Sequence, residues 1–401
     1  MAVPAIDSVL QVHTRYRLAG GEDEVVAAER RLLEASGIHV HQLLFDNDDL
    51  VESHSPVGDL RLAVSAVWSP RAERAVRSAI ARHRPQVMHV HNTFFAASPS
   101  VYAGATGSGV PVVQTLHNYR LFCPAATAFR DGAACTDCLG RVIPWPGVAH
   151  ACVRGSRAQS AVAGATVAVH RALGTWSRRI RVYVALTAFQ RDLLVRAGLR
   201  RSRVRVIPNF LEPDPGFGSE GRRGVLYSGR LSVEKGMEYL LRASESLGAA
   251  VRVAGDGPLR PQVELAAASA GTVYLGRLAH DAVLDELRRA VALVIPSIWF
   301  EGFPMAVVEA FATGTPVIAS RIGSLAEIVE DGVTGILCEP HDAEGLRQGV
   351  EWAIANPEAM SRMGTNARRR YEERYRGPTH LDALVNAYRD AISAGVPARN
   401  A

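Results

Sequence analysis

Lysine is almost absent from this chain. Of its 45 basic residues, 44 are arginine and one, Lys235, is lysine. Arginine presents a planar fork of donors and lysine a compact charge on a flexible stem, so a lone ammonium draws attention to its position. Long hydrophobic runs are lacking too. The nearest, AVAGATVAVH from Ala161, is short and closed by His170 and Arg171, whereas a membrane-spanning helix needs about 18 apolar residues or more. The N-terminus shows no charged stretch leading into an apolar core, which argues against a secretory leader and for a cytoplasmic protein. Aromatic residues make up only 6%. They are not interleaved with basic ones, so no nucleic acid is expected as a partner. No G-x-G-x-x-G follows the first apolar run, which weighs against a nicotinamide dehydrogenase.

What is present belongs to a folded chain: 48% apolar and 21% charged residues over a length of 401, enough for two or three domains. Charge is divided unevenly. Residues 1–208 hold 25 basic against 15 acidic side chains, and residues 209–401 hold 20 against 25. A basic half attracts anionic lipid or an acidic substrate; a solvated arginine-rich surface is the alternative. The arginines crowd into residues 155–205, where the strand VYVALT and the helix AFQRDLLVRAG suit a peripheral contact with the inner face of a membrane.

Apolar runs alternate with amphipathic helical patterns from end to end. IDSVLQV, IHVHQLLF, QVMHVH and VPVVQTLH come first; GVLYSG, AAVRVAG, TVYLG, VALVIPS and TPVIAS follow after residue 220. Continuous Val/Ile/Leu strands separated by helices mean parallel sheets covered on both faces. The series occurs twice, with the Pro/Gly-rich RVIPNFLEPDPGFGSEGRRG between. The expectation is an α/β protein of two doubly wound, Rossmann-like domains facing across a cleft. An N-terminal domain covers residues 1–205 and a C-terminal one residues 206–379. In such sheets ligands sit at the carboxyl ends of the strands.

Two strand ends in the second half carry unusual chemistry. GVLYSGRLSVEKG puts Arg230 just after a strand and Lys235 at the next helix start, a converging pair of cations that suits a diphosphate. EGFPMAVVEAFATGTPVIAS keeps two carboxylates, Glu301 and Glu309, in an otherwise apolar stretch. A buried carboxylate needs partners. Pro304 suits the first turn of a helix, leaving the backbone N–H groups around Gly302, Phe303 and Met305 for an anion. Glu309 would take a pair of hydroxyl donors such as a ribose diol, and Glu301 either a sugar hydroxyl or the phosphate-binding cation.

These stretches, in their order and spacing, resemble the retaining nucleotide-sugar glycosyltransferases of family 4, which have the GT-B fold. EGFPMAVVE matches that family's pair of glutamates separated by seven residues. GGEDEVV is similar to its glycine-rich donor loop, here Gly20 and Gly21, and TLHNYRLFCP to its strand end bearing a histidine, here His117. SGRLSVEKG resembles its diphosphate clamp, and AGDGPLR its turn after a strand. The resemblance implies transfer of a hexosyl or N-acetylhexosaminyl group from a nucleotide-diphosphate donor (UDP- or GDP-sugar) to an acceptor hydroxyl. It implies retention by a front-face route that requires no metal. Arg230 and Lys235 would neutralise the diphosphate, Glu309 hold the ribose, and Glu301, Gly302, Phe303 and Pro304 orient the donor. His117 would contact the sugar. It also implies that a last helix, residues 380–401, packs back on the N-terminal domain. The acceptor, whether glycolipid, polysaccharide or small metabolite, is not implied. A nucleotide-sugar epimerase or a non-catalytic sugar-nucleotide-binding subunit are the alternatives.

Four of the five cysteines, Cys123, Cys135, Cys138 and Cys152, fall in one insert around residues 123–152. Their C-x-x-C with two flanking thiols suits a structural zinc, with disulfides or unbound thiols as alternatives. Cys338, in an apolar run, reads as a core residue.

Overall fold

The computed structural model describes residues 6–15, 21–47, 56–218, 221–247, 250–270 and 272–394. Two compact units emerge. One comprises residues 1–127, 136–208 and 380–401, the other residues 128–135 and 209–379.

The sheet of the N-terminal unit is built from β1 (Ser8–Arg15), β2 (His39–Asp46), β3 (Val87–Val90), β4 (Val112–Leu116), β7 (Val182–Ala185) and β8 (Val204–Val206), in the order β2-β1-β3-β4-β7-β8. A short antiparallel hairpin, β5 (Phe129–Arg130) and β6 (Ala133–Ala134), lies between β4 and β7 in sequence. The second sheet holds β9 (Val225–Ser228), β10 (Val251–Ala254), β11 (Val273–Gly276), β12 (Ala292–Ile295), β13 (Val317–Ser320) and β14 (Gly335–Cys338), ordered β11-β10-β9-β12-β13-β14. All pairings within both six-stranded sheets are parallel. The two doubly wound, Rossmann-like sheets expected from the alternation are thus present.

Burial explains why these segments read as unbroken apolar runs. β7 (VYVA), β12 (ALVI) and β13 (VIAS) are buried at every position, because helices cover both faces. Each sheet accordingly has two cores. In the N-terminal unit one gathers Leu10, Val90 and Tyr183, and the other gathers Val9, Val113 and Leu384. Leu384, Tyr388 and Ala391 belong to the helix Gly377–Ser393, whose residues from 380 onward count with this unit.

Each strand order reverses once, between β1 and β3 and between β9 and β12. At such a switch point the flanking loops leave in opposite directions and open a crevice. The loops after β9 and β12 carry Arg230, Lys235 and Glu301, and the loop after β3 carries His91 and Asn92.

Candidate functional site

The C-terminal site is built by three loops. After β9 the chain turns at Gly229, passes Arg230 and forms a tight helical turn, Val233–Lys235. Gly236 follows at φ +72°, where a Cβ would stand 1.8 Å from the Pro296 carbonyl oxygen. Only glycine lets the two loops approach so closely. The Ile298 N–H donates to the Glu234 carbonyl at 3.0 Å, tying the loop after β12 to the one after β9. The GDGP turn supports the same loop. Leu231 and Asp256 share a backbone hydrogen bond of 2.9 Å, and a Cβ on Gly255 would lie 1.9 Å from the Gly229 oxygen.

Lys235 and Glu301 meet in this frame. The ammonium lies 2.9 and 3.0 Å from the two carboxylate oxygens, and the Ser297 hydroxyl donates to Oε1 at 2.6 Å. Glu301 is only 4% exposed, so this is a largely desolvated pair. Burial pushes its carboxyl up, but the Lys235 charge and the hydrogen bonds from Ser297 and Lys235 outweigh it, and the net shift is downward. The Trp299 ring, its centroid 5.4 Å from the ammonium, adds a π face. Of the two partners open to Glu301 in the sequence, the structure shows the cation. Arg230 is exposed and forms no ion pair with the described residues.

Glu309 lies in the helix Met305–Ala312, among the buried Val307, Val308 and Phe311. Its Oε1 is 3.6 Å from Nδ1 of the half-exposed His280, a neighbour the sequence did not suggest. Pro304 corrects the reading in detail. It caps the helix from outside, with φ −76° and ψ 104°, and its carbonyl accepts from the Val307 N–H at 3.0 Å. The first helical residue is therefore Met305. Phe303 is partly buried, edge-on to Tyr375 at 5.9 Å, and the Gly302 carbonyl accepts from Ser324 at 3.4 Å.

In the N-terminal unit His117 follows β4, and its surroundings were invisible in the sequence. His117 Nε2 is 3.0 Å from His91 Nδ1, and His91 Nε2 is 3.2 Å from Glu29 Oε1. The same oxygen lies 3.0 Å from His89 Nδ1 and 3.3 Å from the Gln11 amide, while Oε2 is 3.5 Å from His380. Burial pushes the Glu29 carboxyl up, but its charge interactions with His89 and His91 and its hydrogen bonds hold it well below the usual range. Burial, with His89 as the main neighbouring charge, pushes His91 down to about 4. Burial and His91 likewise hold His117 well below the ordinary imidazole range. An ionised carboxylate only accepts, so His91 carries its proton on Nε2 and accepts through Nδ1. His117 must then carry its proton on Nε2, leaving Nδ1 with a lone pair.

His91 and His117 line a pocket with Asn118, Arg120, Trp176 and, from the helix Arg157–Ala172, Thr166. One signal for Glu29 was legible: it falls on the buried stripe Val25, Val26, Glu29, Leu33 of the helix Gly21–Ala35. A charge on an apolar stripe marks a paired group. Gly21 opens that helix, and Gly20 lies outside the described residues.

Among the described residues, one set of three or more ligating groups lies within 4.8 Å of one another: Glu29, His89 and His91. Hydrogen bonding accounts for this set without an ion, since His89 also meets Thr115 and Tyr388 at 2.8 Å each. The cysteines form no such set. Cys123, Cys138 and Cys152 belong to the N-terminal unit, yet their sulfurs do not converge as a trio, and Cys135 groups with the other unit. Turns and packing hold the segment. Cys152 N–H donates to Gly147 O at 3.0 Å, and a Cβ on Gly147 would lie 2.8 Å from the Pro124 ring. Cys338 is partly buried, with burial pushing its thiol up to about 11.

Residues 20–209 match the family described as glycosyl transferase 4-like domain, and residues 214–370 match the glycosyl transferases group 1. Among similar proteins, a glycogen synthase of Mycobacterium tuberculosis is 34% identical over 177 residues, 42% of each chain. An alpha-D-kanosaminyltransferase of Streptomyces kanamyceticus is 29% identical over 183 residues, 43% of this chain and 47% of that protein. The matched region thus spans less than half the length of these curated relatives. Among solved structures, sucrose-phosphate synthase from Thermosynechococcus elongatus superposes with a TM-score of 0.70 at 19% identity, over 97% of this chain and 100% of that one. Anabaena Alr3699/HepE, solved in complex with UDP, gives 0.65 at 17% identity, over 94% and 98%.

Proposed function

Its two halves belong to the glycosyl transferase 4-like and group 1 glycosyl transferase families, and on that premise we propose that the chain is a retaining glycosyltransferase using a nucleotide-diphosphate sugar. The observation that carries this reading is the Lys235–Glu301 pair at the switch point of the second sheet, with the exposed Arg230 on the same loop. A buried carboxylate that grips a lysine with both oxygens holds the ammonium in one place. That is what a leaving diphosphate needs from its cation, since preorganised charge stabilises developing negative charge without reorganisation. Arg230, which forms no ion pair with the described residues, supplies a second cation. The β-phosphate oxygen then serves as base for the acceptor hydroxyl, and the acceptor attacks from the face the diphosphate leaves. The charge neutralisation comes from side chains, so the reaction requires no metal. Within the N-terminal unit, the pocket that His117 lines takes the acceptor, a glycolipid, polysaccharide or small metabolite bearing a free hydroxyl.

Anabaena Alr3699/HepE binds UDP and UDP-glucose in its solved complexes, which supports a uridine donor. A panel of UDP-, GDP- and ADP-sugars should raise the melting temperature for one base, with and without EDTA. Saturation at 100-fold over Kd gives a stabilisation of about 2.7 kcal/mol. No shift with any nucleotide sugar refutes donor binding, and a shift or turnover that EDTA abolishes refutes the metal-free route.

Glu309 is proposed to hold the ribose diol, consistent with its place in the middle of the helix Met305–Ala312 among apolar neighbours. Glu309→Ala should weaken nucleotide binding by about tenfold to a hundredfold, the worth of one or two charge-assisted hydrogen bonds, while turnover at saturating donor falls less. Calorimetry with the free nucleoside diphosphate checks this, and unchanged affinity contradicts it.

A further inference from the structure

The N-terminal unit carries a surface that the transfer reaction does not use. Val142, Ile143 and Trp145, within four residues, are 64%, 61% and 55% exposed. Large apolar side chains in such density on the outside of a protein mark an interaction site. Their positions are set by the buried Pro144 and Pro146 between and beside them. The short helix Trp145–Ala149 packs on the helix Arg157–Ala172, where a Cβ on Gly164 would lie 3.3 Å from Val148 and 3.7 Å from Pro144. Arg171, near the end of that longer helix, donates to the Arg141 carbonyl and fastens the loop to it.

The outer side of the helix Arg157–Ala172 extends the patch. Ala161, Ala165, Val169 and, just beyond the helix end, Leu173 recur every four residues and are all exposed. A surface helix ordinarily turns its polar side to water. Here the inner side, through Ala163, Thr166 and Val167, lines the pocket beside His117, and the outer side is apolar as well.

Around this patch the charge is of one sign. Residues 139–205 contain 13 arginines, one acidic residue (Asp192) and no lysine. Arg141, Arg154, Arg157, Arg178, Arg196 and Arg200 are exposed, and the Arg141 guanidinium stands over the Trp145 ring at 5.3 Å. No helix among the described residues is long and apolar enough to cross a membrane.

We infer that the face formed by Arg141–Trp145 and the outer side of the helix Arg157–Ala172 docks on an anionic phospholipid surface. Branched aliphatic side chains beside a tryptophan enter the boundary between headgroups and acyl chains, and guanidinium groups around them meet lipid phosphates. Nucleic acid would ask for planar stacking groups rather than valine and isoleucine. The inference deepens the proposed function and rests on it in one respect. A pocket lined by the inner side of the docking helix receives an acceptor carried by the lipid, so the acceptor class is a glycolipid or another lipid-linked hydroxyl.

Sedimentation of the full chain with phosphatidylcholine vesicles, with and without phosphatidylglycerol, tests the docking. The wild-type chain should bind the anionic vesicles, shift its tryptophan emission to the blue, and release in high salt. Ile143→Ser with Trp145→Ser should lower the partition coefficient at least tenfold while donor-induced thermal stabilisation stays unchanged, so the result is independent of whether the donor reading stands. Wild-type protein that stays in the supernatant overturns the inference. So does undiminished vesicle binding by the double variant, a dimer in solution that the double variant abolishes, or tighter binding to RNA than to the vesicles.

Discussion

Lys235→Met is expected to lower turnover at saturating donor by about 10²–10³-fold, the usual effect of removing one preorganised group that meets developing negative charge. Methionine keeps most of the length and volume of the side chain, so the loss reports chiefly on the ammonium. Lys235→Arg should recover only part of it. Glu301 grips the ammonium through both oxygens at 2.9 and 3.0 Å, and a planar guanidinium cannot occupy the same point. Near-normal rates for the methionine variant refute the diphosphate clamp.

The same substitution has a second, separable effect. In the native chain the Glu301 carboxyl is depressed, because Lys235 and Ser297 outweigh the upward push of burial. Its contribution to stability is therefore present above the ordinary carboxylate range and is lost as pH falls through the depressed value. Without the ammonium, burial prevails and the folded-state value rises above the unfolded one. The variant is then destabilised at neutral pH and recovers part of that loss on acidification through the raised value. Denaturant melts at about pH 5 and about pH 7.5 read this: Glu301 costs the native chain nothing over that interval, because its depressed value lies below it, whereas the variant gains stability on going to pH 5. A variant that gains none contradicts the assignment of Lys235 as the main counter-charge.

Glu29→Ala is expected to cost about 3–5 kcal/mol of stability, because it orphans several buried donors at once. Gln11, His89 and His91 all address one oxygen of that carboxylate, and Glu29 itself is 1% exposed. The native network contributes stability above the ordinary carboxylate range and loses it as pH falls through the depressed folded-state value. Glu29→Gln should flatten that acid limb, because the amide does not titrate. It also has a local readout that mere destabilisation would not move. An amide N–H donating to His91 Nε2 reverses the proton positions along the chain of rings, so His117 should change from the Nε2–H to the Nδ1–H tautomer. Nitrogen-15 shifts of labelled histidine report this. An unchanged His117 tautomer in a folded Glu29→Gln protein removes the link between the two residues.

These two residues mark how far the chain could be read before folding. Lys235 stood out by count and Glu301 by its apolar setting, and the loops after β9 and β12 were legible as the loaded strand ends. Glu29 and His91 were not singled out. His89 and His91 read as part of the strand QVMHVH, and Glu29 as one charge among several in GEDEVVAAERRLLEA. The four thiols are a related case: spacing along a chain limits which of them can converge, but packing decides which do.

The sequence by itself determined the two parallel sheets and the strand ends that carry charge. Those features follow from local periodicity, which each stretch of chain expresses without knowing its neighbours. Tertiary structure alone decided that Lys235 pairs with Glu301 across 66 residues and that Glu29 gathers three histidines. It also turned an apolar stripe of the helix Arg157–Ala172 outward. The physical reason is that a buried charge takes its partner from whatever strand register and helix rotation bring within hydrogen-bond reach, and those are settled by the packing of whole sheets.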